Sequence, residues 1–200
     1  MVLGDIQIRQ RLCQDLLDIY QHDPETILLH ELSVCHGQAR VDIAVINGTI
    51  NGYEIKSDKD TLGRLPGQIE VYNRVFDTMT LVVGESLCEE AVRLVPRWWG
   101  VKLVTGSSES QIRVEDIQEP EQNQEVDAFS LAQILWKDEL VRIIELEGAD
   151  KRLRHQPRFQ LWAYVANNLP LERLQCYVRY FVRHRPLTWR PDALRTSSDG

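Results

Sequence analysis

Two carboxylates and a lysine lie on what the sequence predicts to be successive strands. Asp42 belongs to the predicted strand 40–46, and Glu54 and Lys56 belong to the next one, 49–56. Residues two apart on a strand point to the same face, so Glu54 and Lys56 should share a face. Converging carboxylates repel each other unless a cation lies between them, and such hard oxygen ligands suit Mg²⁺ or Mn²⁺. A lysine beside the ion can orient a water molecule or stabilise charge on a phosphate.

The turn between the two strands decides whether Asp42 joins this group. A strict two-residue turn at Asn47-Gly48 would pair Asp42 with Tyr53 and would put Asp42 and Glu54 on opposite faces. A three-residue loop closed by Gly48 in a bulge would shift the parity and put both on one face. The catalytic interpretation therefore requires a bulge or a loop with an odd number of residues.

The acid-x-Lys pattern is not specific by itself. It occurs once in this chain, at Glu54, and about one occurrence is expected by chance. Glu54 and Lys56 could therefore equally form a solvated face of a strand.

Hydrophobic periodicity predicts the elements that would position these residues. The predicted helices are 5–20, 62–76, 85–94, 128–146, 158–168 and 171–184. The predicted strands are 27–34, 40–46, 49–56, 79–83 and, as the last one, 101–105. The order α-β-β-β-α-β at the start indicates an α/β fold: a mixed central sheet flanked by helices, followed by a C-terminal helical region.

Charge divides the chain unevenly. Its net charge is −7, yet residues 151–200 hold ten Lys/Arg and only three Asp/Glu. We therefore expect an α/β domain at 1–107, an acidic linker at 108–127 and a basic helical region at 128–200. The basic region could bind a polyanion, or it could dock on the protein's own acidic part.

Other features narrow the class of protein. No run of eighteen apolar residues is present, so no membrane span is expected, and the N-terminus lacks the pattern of a secretory signal. The spacing of the four cysteines fits neither a zinc site nor a compact disulfide framework. We expect reduced, mostly buried thiols in a cytoplasmic protein.

A helix that follows the strands adds an independent feature. Gln68 and Tyr72 are four residues apart and hence neighbours on one helix face. With Asp42, Glu54 and Lys56 they resemble the PD-(D/E)XK nuclease superfamily, and most closely its RecB-type branch, in which a Gln-x-x-x-Tyr helix follows the Asp and Glu-x-Lys strands.

The resemblance extends over roughly residues 1–105. Residues 37–77 and the Val-Pro-x-Trp-Trp-Gly element at 95–100 look like a group of small, poorly characterised bacterial and phage proteins in that superfamily. The resemblance implies a restriction-endonuclease-like core within the predicted fold.

The resemblance also implies a metal site. Asp42 and Glu54 would ligate Mg²⁺ or Mn²⁺, with the carbonyl of Ile55 as a third ligand. Glu31 matches the acidic residue on the preceding element that often completes the site. The proline that precedes the aspartate in the family is absent, and Val41 stands there.

The implied activity is hydrolysis of DNA phosphodiester bonds. Lys56 would position the attacking water, and Gln68 and Tyr72 would support the site or touch the nucleic-acid backbone. The alternative is a catalytically inactive nuclease-fold module that binds nucleic acid or a partner protein, since a fold does not dictate a function. The expected partner is DNA, with a partner protein or a homodimer also possible.

Three further groups have both a functional and a structural interpretation. Trp98 and Trp99 could stack bases but are more often core residues. His36 lies near the proposed site but is more often structural. An arginine-rich helix could contact phosphate or could simply present a solvated face; its residues are Arg173, Arg179, Arg183 and Arg185, with Tyr177, Tyr180 and Phe181 among them.

Overall fold

The computed structural model describes residues 4–108 and 111–186, and the backbone of Leu194–Arg195. Its helices are α1 (Asp5–Tyr20), α2 (Leu65–Tyr72), α3 (Cys88–Leu94), α4 (Ala128–Ala132), α5 (Lys137–Leu146), α6 (Arg158–Asn168) and α7 (Leu171–His184). Its strands are β1 (Ile27–Val34), β2 (Ala39–Ile46), β3 (Ile50–Lys56), β4 (Thr78–Gly84), β5 (Gly100–Thr105), β6 (Arg113–Gln118) and β7 (Leu194–Arg195). Of the predicted basic region 128–200, residues 187–193 and 196–200 lie outside the described residues.

The strands form one mixed sheet in the order β6-β5-β4-β3-β2-β1-β7. The pairs β1–β2 and β2–β3 are antiparallel. The pairs β3–β4 and β4–β5 are parallel, because helices α2 and α3 connect these strands. This arrangement confirms the predicted α/β fold with a mixed sheet, flanking helices and a C-terminal helical region.

Helices cover both faces of the sheet. On one face α1 buries Ile8, Leu12 and Leu16, which recur at helical spacing, against the strands. On the other face one hydrophobic cluster runs from the sheet through α2 to α4–α7. The C-terminal helices therefore share a core with the sheet. No helix of the described residues is both long and apolar enough to cross a bilayer.

The segment predicted to be a linker contains a strand. β6 pairs antiparallel with β5, so the prediction that 101–105 is the last strand was wrong. The sequence pattern concealed β6 because it lies at the edge of the sheet and most of its side chains are exposed and polar. Farther along the same segment, the buried side chain of Asn123 donates to the carbonyls of Asn73 and Phe76, at 2.7 and 2.8 Å.

Two predicted helices also differ in extent. The helix predicted at 62–76 is regular only over Leu65–Tyr72, and the one predicted at 128–146 is divided into α4 and α5. The division occurs at Trp136, whose N–H donates to the Glu139 carboxylate at 2.7 Å and so begins α5. Glu139 is buried and forms an ion pair with Arg185, a long-range contact that helical periodicity does not encode.

Asp77 joins the sheet to the last long helix. Its carboxylate is buried and accepts the N–H of Ile50 at 2.8 Å and the side-chain amide of Gln175 at 2.9 Å. Arg179 lies 3.7 Å away. Burial raises the pKa of Asp77, while the Ile50 N–H, Arg179 and Gln175 oppose that rise. These contacts tie the start of β3 to α7.

Substituting Asp77→Ala should lower the free energy of unfolding by about 1–3 kcal/mol, because the buried N–H of Ile50 loses its acceptor. Urea denaturation followed by circular dichroism measures this change. The control is Asp18→Ala on the exposed face of α1, which should change the stability by no more than about 0.5 kcal/mol. Equal effects of the two substitutions would contradict the role assigned to Asp77.

Candidate active site

A three-residue loop joins β2 to β3 and sets their register. Ile46 pairs with Ile50 and Ile43 with Tyr53, so the same register places Asp42 opposite Glu54. The side chain of Asn47 closes the loop by accepting the Thr49 N–H at 3.0 Å. The expected odd loop is therefore confirmed. It forms without a left-handed glycine at Gly48, because the Asn47 side chain supplies the turn contact instead.

The two strands separate where the carboxylates lie. Their paired residues end at Ile43 and Tyr53. Beyond this point the Asp42 carboxylate takes the place of a backbone acceptor and binds the Ile55 N–H at 2.7 Å. Asp42 thus fills the gap between diverging strands, with 16% of its side chain exposed.

β1 has a strained residue beside this gap. Glu31 has a φ of 56° in the middle of the strand. Leu29 and Leu32 pack in the same hydrophobic cluster, although a regular strand would turn them to opposite faces. A non-glycine residue in this conformation costs about 1–3 kcal/mol, and such strain is concentrated at functional sites. The kink places the Glu31 carboxylate in the cleft beside Asp42.

Glu54 is the centre of a buried hydrogen-bond network. Its Oε1 accepts Lys56 Nζ at 2.5 Å and Gln68 Nε2 at 2.6 Å, and its Oε2 accepts Tyr72 Oη at 2.9 Å. Helix α2 presents Gln68 and Tyr72 together because they are one turn apart. Burial and then the charge of Glu54 raise the pKa of Tyr72, so its hydroxyl stays a donor.

Arg9 of α1 is a site residue that the sequence did not predict. Its guanidinium donates to Asp42 Oδ1 at 2.6 Å, to the Asp42 carbonyl at 3.1 Å and to Glu31 at 3.1 Å. It also reaches Asp5 at 3.3 Å. The Asp5–Arg9 spacing on a helix was the only local signal, and it indicates no more than a surface ion pair.

These residues line a cleft of about 830 Å³ that also includes Arg64 and the start of α2. Burial, and next the charge of Glu54, raise the pKa of Asp42 to about 6; the Ile55 N–H and Arg9 oppose this rise. The surroundings of Asp42 therefore do not fully offset the cost of keeping this carboxylate ionised.

The carboxylates of Asp42 and Glu54 form a donor set that fits Mg²⁺. Mg²⁺ commonly binds through one or two carboxylates and keeps several waters. Among the described residues, no three acidic, His or Cys side chains are close enough together to hold a metal ion. Glu31 lines the cleft, but its carboxylate contacts Arg9 at 3.1 Å and Arg40 at 2.6 Å. Ile55, whose carbonyl was predicted to be a ligand, also lines the cleft, and its N–H donates to Asp42.

The remaining sequence candidates lie away from the cleft. Trp99 is a core residue that is fully buried, and Trp98 packs against that core at half-burial. The arginines of the arginine-rich segment pair with carboxylates: Arg173 with Glu147, Arg179 with Asp77, Arg183 with Glu25 and Arg185 with Glu139. This pairing favours docking of the basic region on the protein itself over binding of phosphate by α7.

The raised pKa of Asp42 predicts a pH-dependent effect of Asp42→Asn. A carboxyl with a higher pKa in the folded than in the unfolded state destabilises the fold as pH rises through that window, here from about 4 to about 6. The stability of Asp42→Asn relative to wild type should therefore increase by about 1–3 kcal/mol between pH 4 and pH 7. Chemical denaturation in EDTA at both pH values measures it. A difference that does not change with pH would refute this assignment.

Comparison with known proteins yields one family and two individual similarities. The family model described as bacteriophage P4 protein cII matches residues 5–190. Protein cII of Enterobacteria phage P4 is 26% identical over 161 residues, which cover 80% of this chain and 60% of that protein. This chain thus spans less than two thirds of the length of that relative.

A solved structure, the SPO1766 protein of unknown function from Silicibacter pomeroyi, is 19% identical with a TM-score of 0.43, covering 72% of this chain and 94% of its own. A similarity of this size carries no conclusion about function. The family match spans nearly all of the described residues, and the chain belongs to the bacteriophage P4 protein cII family.

Proposed function

We propose that this protein is a metal-dependent deoxyribonuclease that hydrolyses DNA phosphodiester bonds with Mg²⁺ or Mn²⁺. The observation that carries the proposal is the convergence of Asp42, Glu54, Lys56 and Gln68 in one cleft, with the buried hydroxyl of Tyr72 donating to Glu54. The resemblance of these residues to the PD-(D/E)XK superfamily, RecB-type branch, supports it.

Asp42 and Glu54 would hold the ion, with the Ile55 carbonyl and Glu31 as further candidate ligands. When bound, the ion would lower the pKa of a coordinated water and neutralise charge on the phosphate. Gln68 and Tyr72 fix the orientation of the Glu54 carboxylate through their hydrogen bonds.

Lys56 would act on the reacting groups themselves. Its amine is buried, with 7% of the side chain exposed, and is held against Glu54 at 2.5 Å. A fixed ammonium group in such a cleft can position an attacking water or stabilise charge on a phosphate oxygen. The short contact with Glu54 keeps it in place before substrate arrives.

Cleavage of labelled single- and double-stranded DNA tests the proposal. We expect Asp42→Asn and Lys56→Gln each to lower the rate at least about 100-fold, because the first removes a charge that would hold the metal ion and the second a charge that would act on the scissile phosphate. EDTA should abolish the activity. Unchanged cleavage by the Asp42→Asn variant would overturn the proposal.

The matched controls for this assay are Asp116→Asn and Lys102→Gln. This ion pair also joins two neighbouring strands, β5 and β6, but lies outside the cleft. Both variants should cleave at the wild-type rate. This result would show that the loss of activity comes from removing a charge in the cleft and not from breaking an ion pair on a strand.

Arg9 should compete with the metal for Asp42. Its guanidinium occupies Asp42 Oδ1 at 2.6 Å, so a cation that binds there must displace or share this contact. We expect Arg9→Gln to tighten Mn²⁺ binding several-fold at pH 8, measured by titration calorimetry. The control is Arg11→Gln on the same helix, whose partner is Asp15. Unchanged or weaker Mn²⁺ binding by Arg9→Gln would contradict the competition.

The second candidate function is a nuclease-fold module that binds nucleic acid or a partner protein without turnover. The ion pairs Arg9–Asp42 and Lys56–Glu54 favour it, since they already neutralise the carboxylates without a metal ion. Such a module would bind DNA in EDTA with strong salt dependence and would not cleave it. A partner protein or a homodimer remains a prediction under either function.

A cytoplasmic location is part of the proposal. All four cysteines are free thiols, with Cys13 and Cys35 buried. Free thiols are typical of a reducing compartment, where a DNA substrate is also present.

A further inference from the structure

A second cavity adjoins the carboxylate cleft. It has a volume of about 350 Å³ and lies between the turn after β1, the α4–α5 connection and the start of α6. Ser33 and Gly37 line both this cavity and the cleft. The two spaces therefore border each other at the turn.

The turn between the two cavities is strained. Cys35, His36 and Gly37 all have positive φ values, of 48°, 55° and 89°. For the two non-glycine residues this conformation costs about 1–3 kcal/mol each. Such a strained conformation persists only where the surrounding structure enforces it. Cys35 is buried and anchors the turn, whereas His36 is exposed and rests edge-on against Trp162 at 5.6 Å.

The second cavity differs from the cleft in charge. No carboxylate lines it within the described part of the chain, whereas five carboxylates line the cleft. Arg158 stands at its rim with the guanidinium 4.6 Å above the Trp162 ring. Within the described residues Arg158 pairs with no carboxylate, in contrast to the arginines of α7, so its charge is available to an anion.

An aromatic surface borders the same space. Trp136 is 40% exposed, and the guanidinium of the buried Arg185 lies 4.3 Å from its ring centroid. Arg185 is itself held by Glu139, with N–O distances of 2.6 Å. This arrangement fixes the orientation of the indole, and an oriented indole beside a cation is the combination on which a nucleic-acid base can stack.

We infer that this cavity is a subsite for the DNA strand next to the scissile phosphate. In this subsite, which we call the flanking pocket and define as His36, Gly37, Gln133, Trp136 and Arg158, Arg158 contacts a backbone phosphate and Trp136 stacks on a base. The inference rests on the proposed function, because the strand enters the pocket from the carboxylate cleft. A flexible single strand fits the small volume of this pocket, about 350 Å³, better than a stiff duplex does.

Two substrates of different size test the flanking pocket. Bis(p-nitrophenyl) phosphate carries one phosphodiester and reaches only the carboxylate cleft, whereas a single-stranded oligonucleotide also reaches the pocket. With Mn²⁺, Arg158→Gln should raise the KM for the oligonucleotide about 5- to 10-fold, since one phosphate contact is lost. Its kcat/KM for the small diester should stay within about twofold of wild type.

Binding of the same labelled oligonucleotide in EDTA, followed by fluorescence anisotropy, is independent of cleavage. Arg158→Gln should weaken this binding by a similar factor and should reduce its salt dependence. The second variant is His36→Asn, because asparagine tolerates a positive φ and leaves the turn intact. The control is Arg154→Gln, an exposed arginine that does not line the pocket and should bind as wild type does.

The outcomes separate the two proposals. Oligonucleotide binding that depends on Arg158, with neither substrate cleaved, supports the flanking pocket and overturns the nuclease. Cleavage of both substrates by Arg158→Gln at wild-type KM overturns the pocket and leaves the nuclease standing. Arg158-dependent binding of poly-glutamate, without binding of the oligonucleotide, would show that the pocket binds an acidic protein segment. This result would also overturn the proposal of a DNA subsite.

Discussion

The burial of two carboxylates side by side is the constraint on which the rest of the site depends. Asp42 and Glu54 lie opposite each other where β2 and β3 separate, and burial together with their mutual repulsion raises the pKa of Asp42 to about 6. Two such groups are tolerated only if hydrogen bonds and cations compensate them. Three surrounding elements supply that compensation: α1 with Arg9, β3 with the Ile55 N–H and Lys56, and α2 with Gln68 and Tyr72.

The compensation is unequal at the two carboxylates. Glu54 accepts three side-chain donors and is almost fully enclosed, whereas Asp42 has one backbone donor and one arginine. Arg9 is also shared with Glu31 and Asp5. A divalent ion would add the positive charge that Asp42 lacks, which is why the same geometry is compatible with a metal site and with a metal-free ion-pair network. The choice between enzyme and binding module therefore depends on how strongly Arg9 holds Asp42.

The C-terminal helices contribute to this arrangement through the core more than through their charge. They pack in the same hydrophobic cluster as the sheet, and Gln175 and Arg179 of α7 reach Asp77 at the base of β4. Of the α7 arginines, Arg179 and Arg183 pair with Asp77 and Glu25 in the acidic part of the chain, whereas Arg173 pairs with Glu147 within the helical region. Arg158, which pairs with no carboxylate among the described residues, borders the cavity next to the carboxylate cleft.

The sequence by itself determined the order of elements through β5 and which polar side chains share a face at the site. Alternation and helical periodicity are local properties, so α1, β1, α6 and α7 were predicted with the observed bounds. The Glu-x-Lys and Gln-x-x-x-Tyr spacings likewise predicted which side chains share a face, since both are set within one element. The odd loop at 47–49 was a condition of the catalytic interpretation, and the structure meets that condition.

Only the tertiary structure decided the features that depend on contacts distant in sequence. Arg9 joins Asp42 from 33 residues away, the polar edge strand β6 exists because β5 offers it a partner, and α5 begins where Glu139 meets Arg185. The left-handed backbone at Glu31 and Cys35 has no local signal, since neither residue favours it without a surrounding fold that enforces it. Packing of separate elements, rather than local preference, therefore determined how the carboxylates are neutralised and what lies next to them.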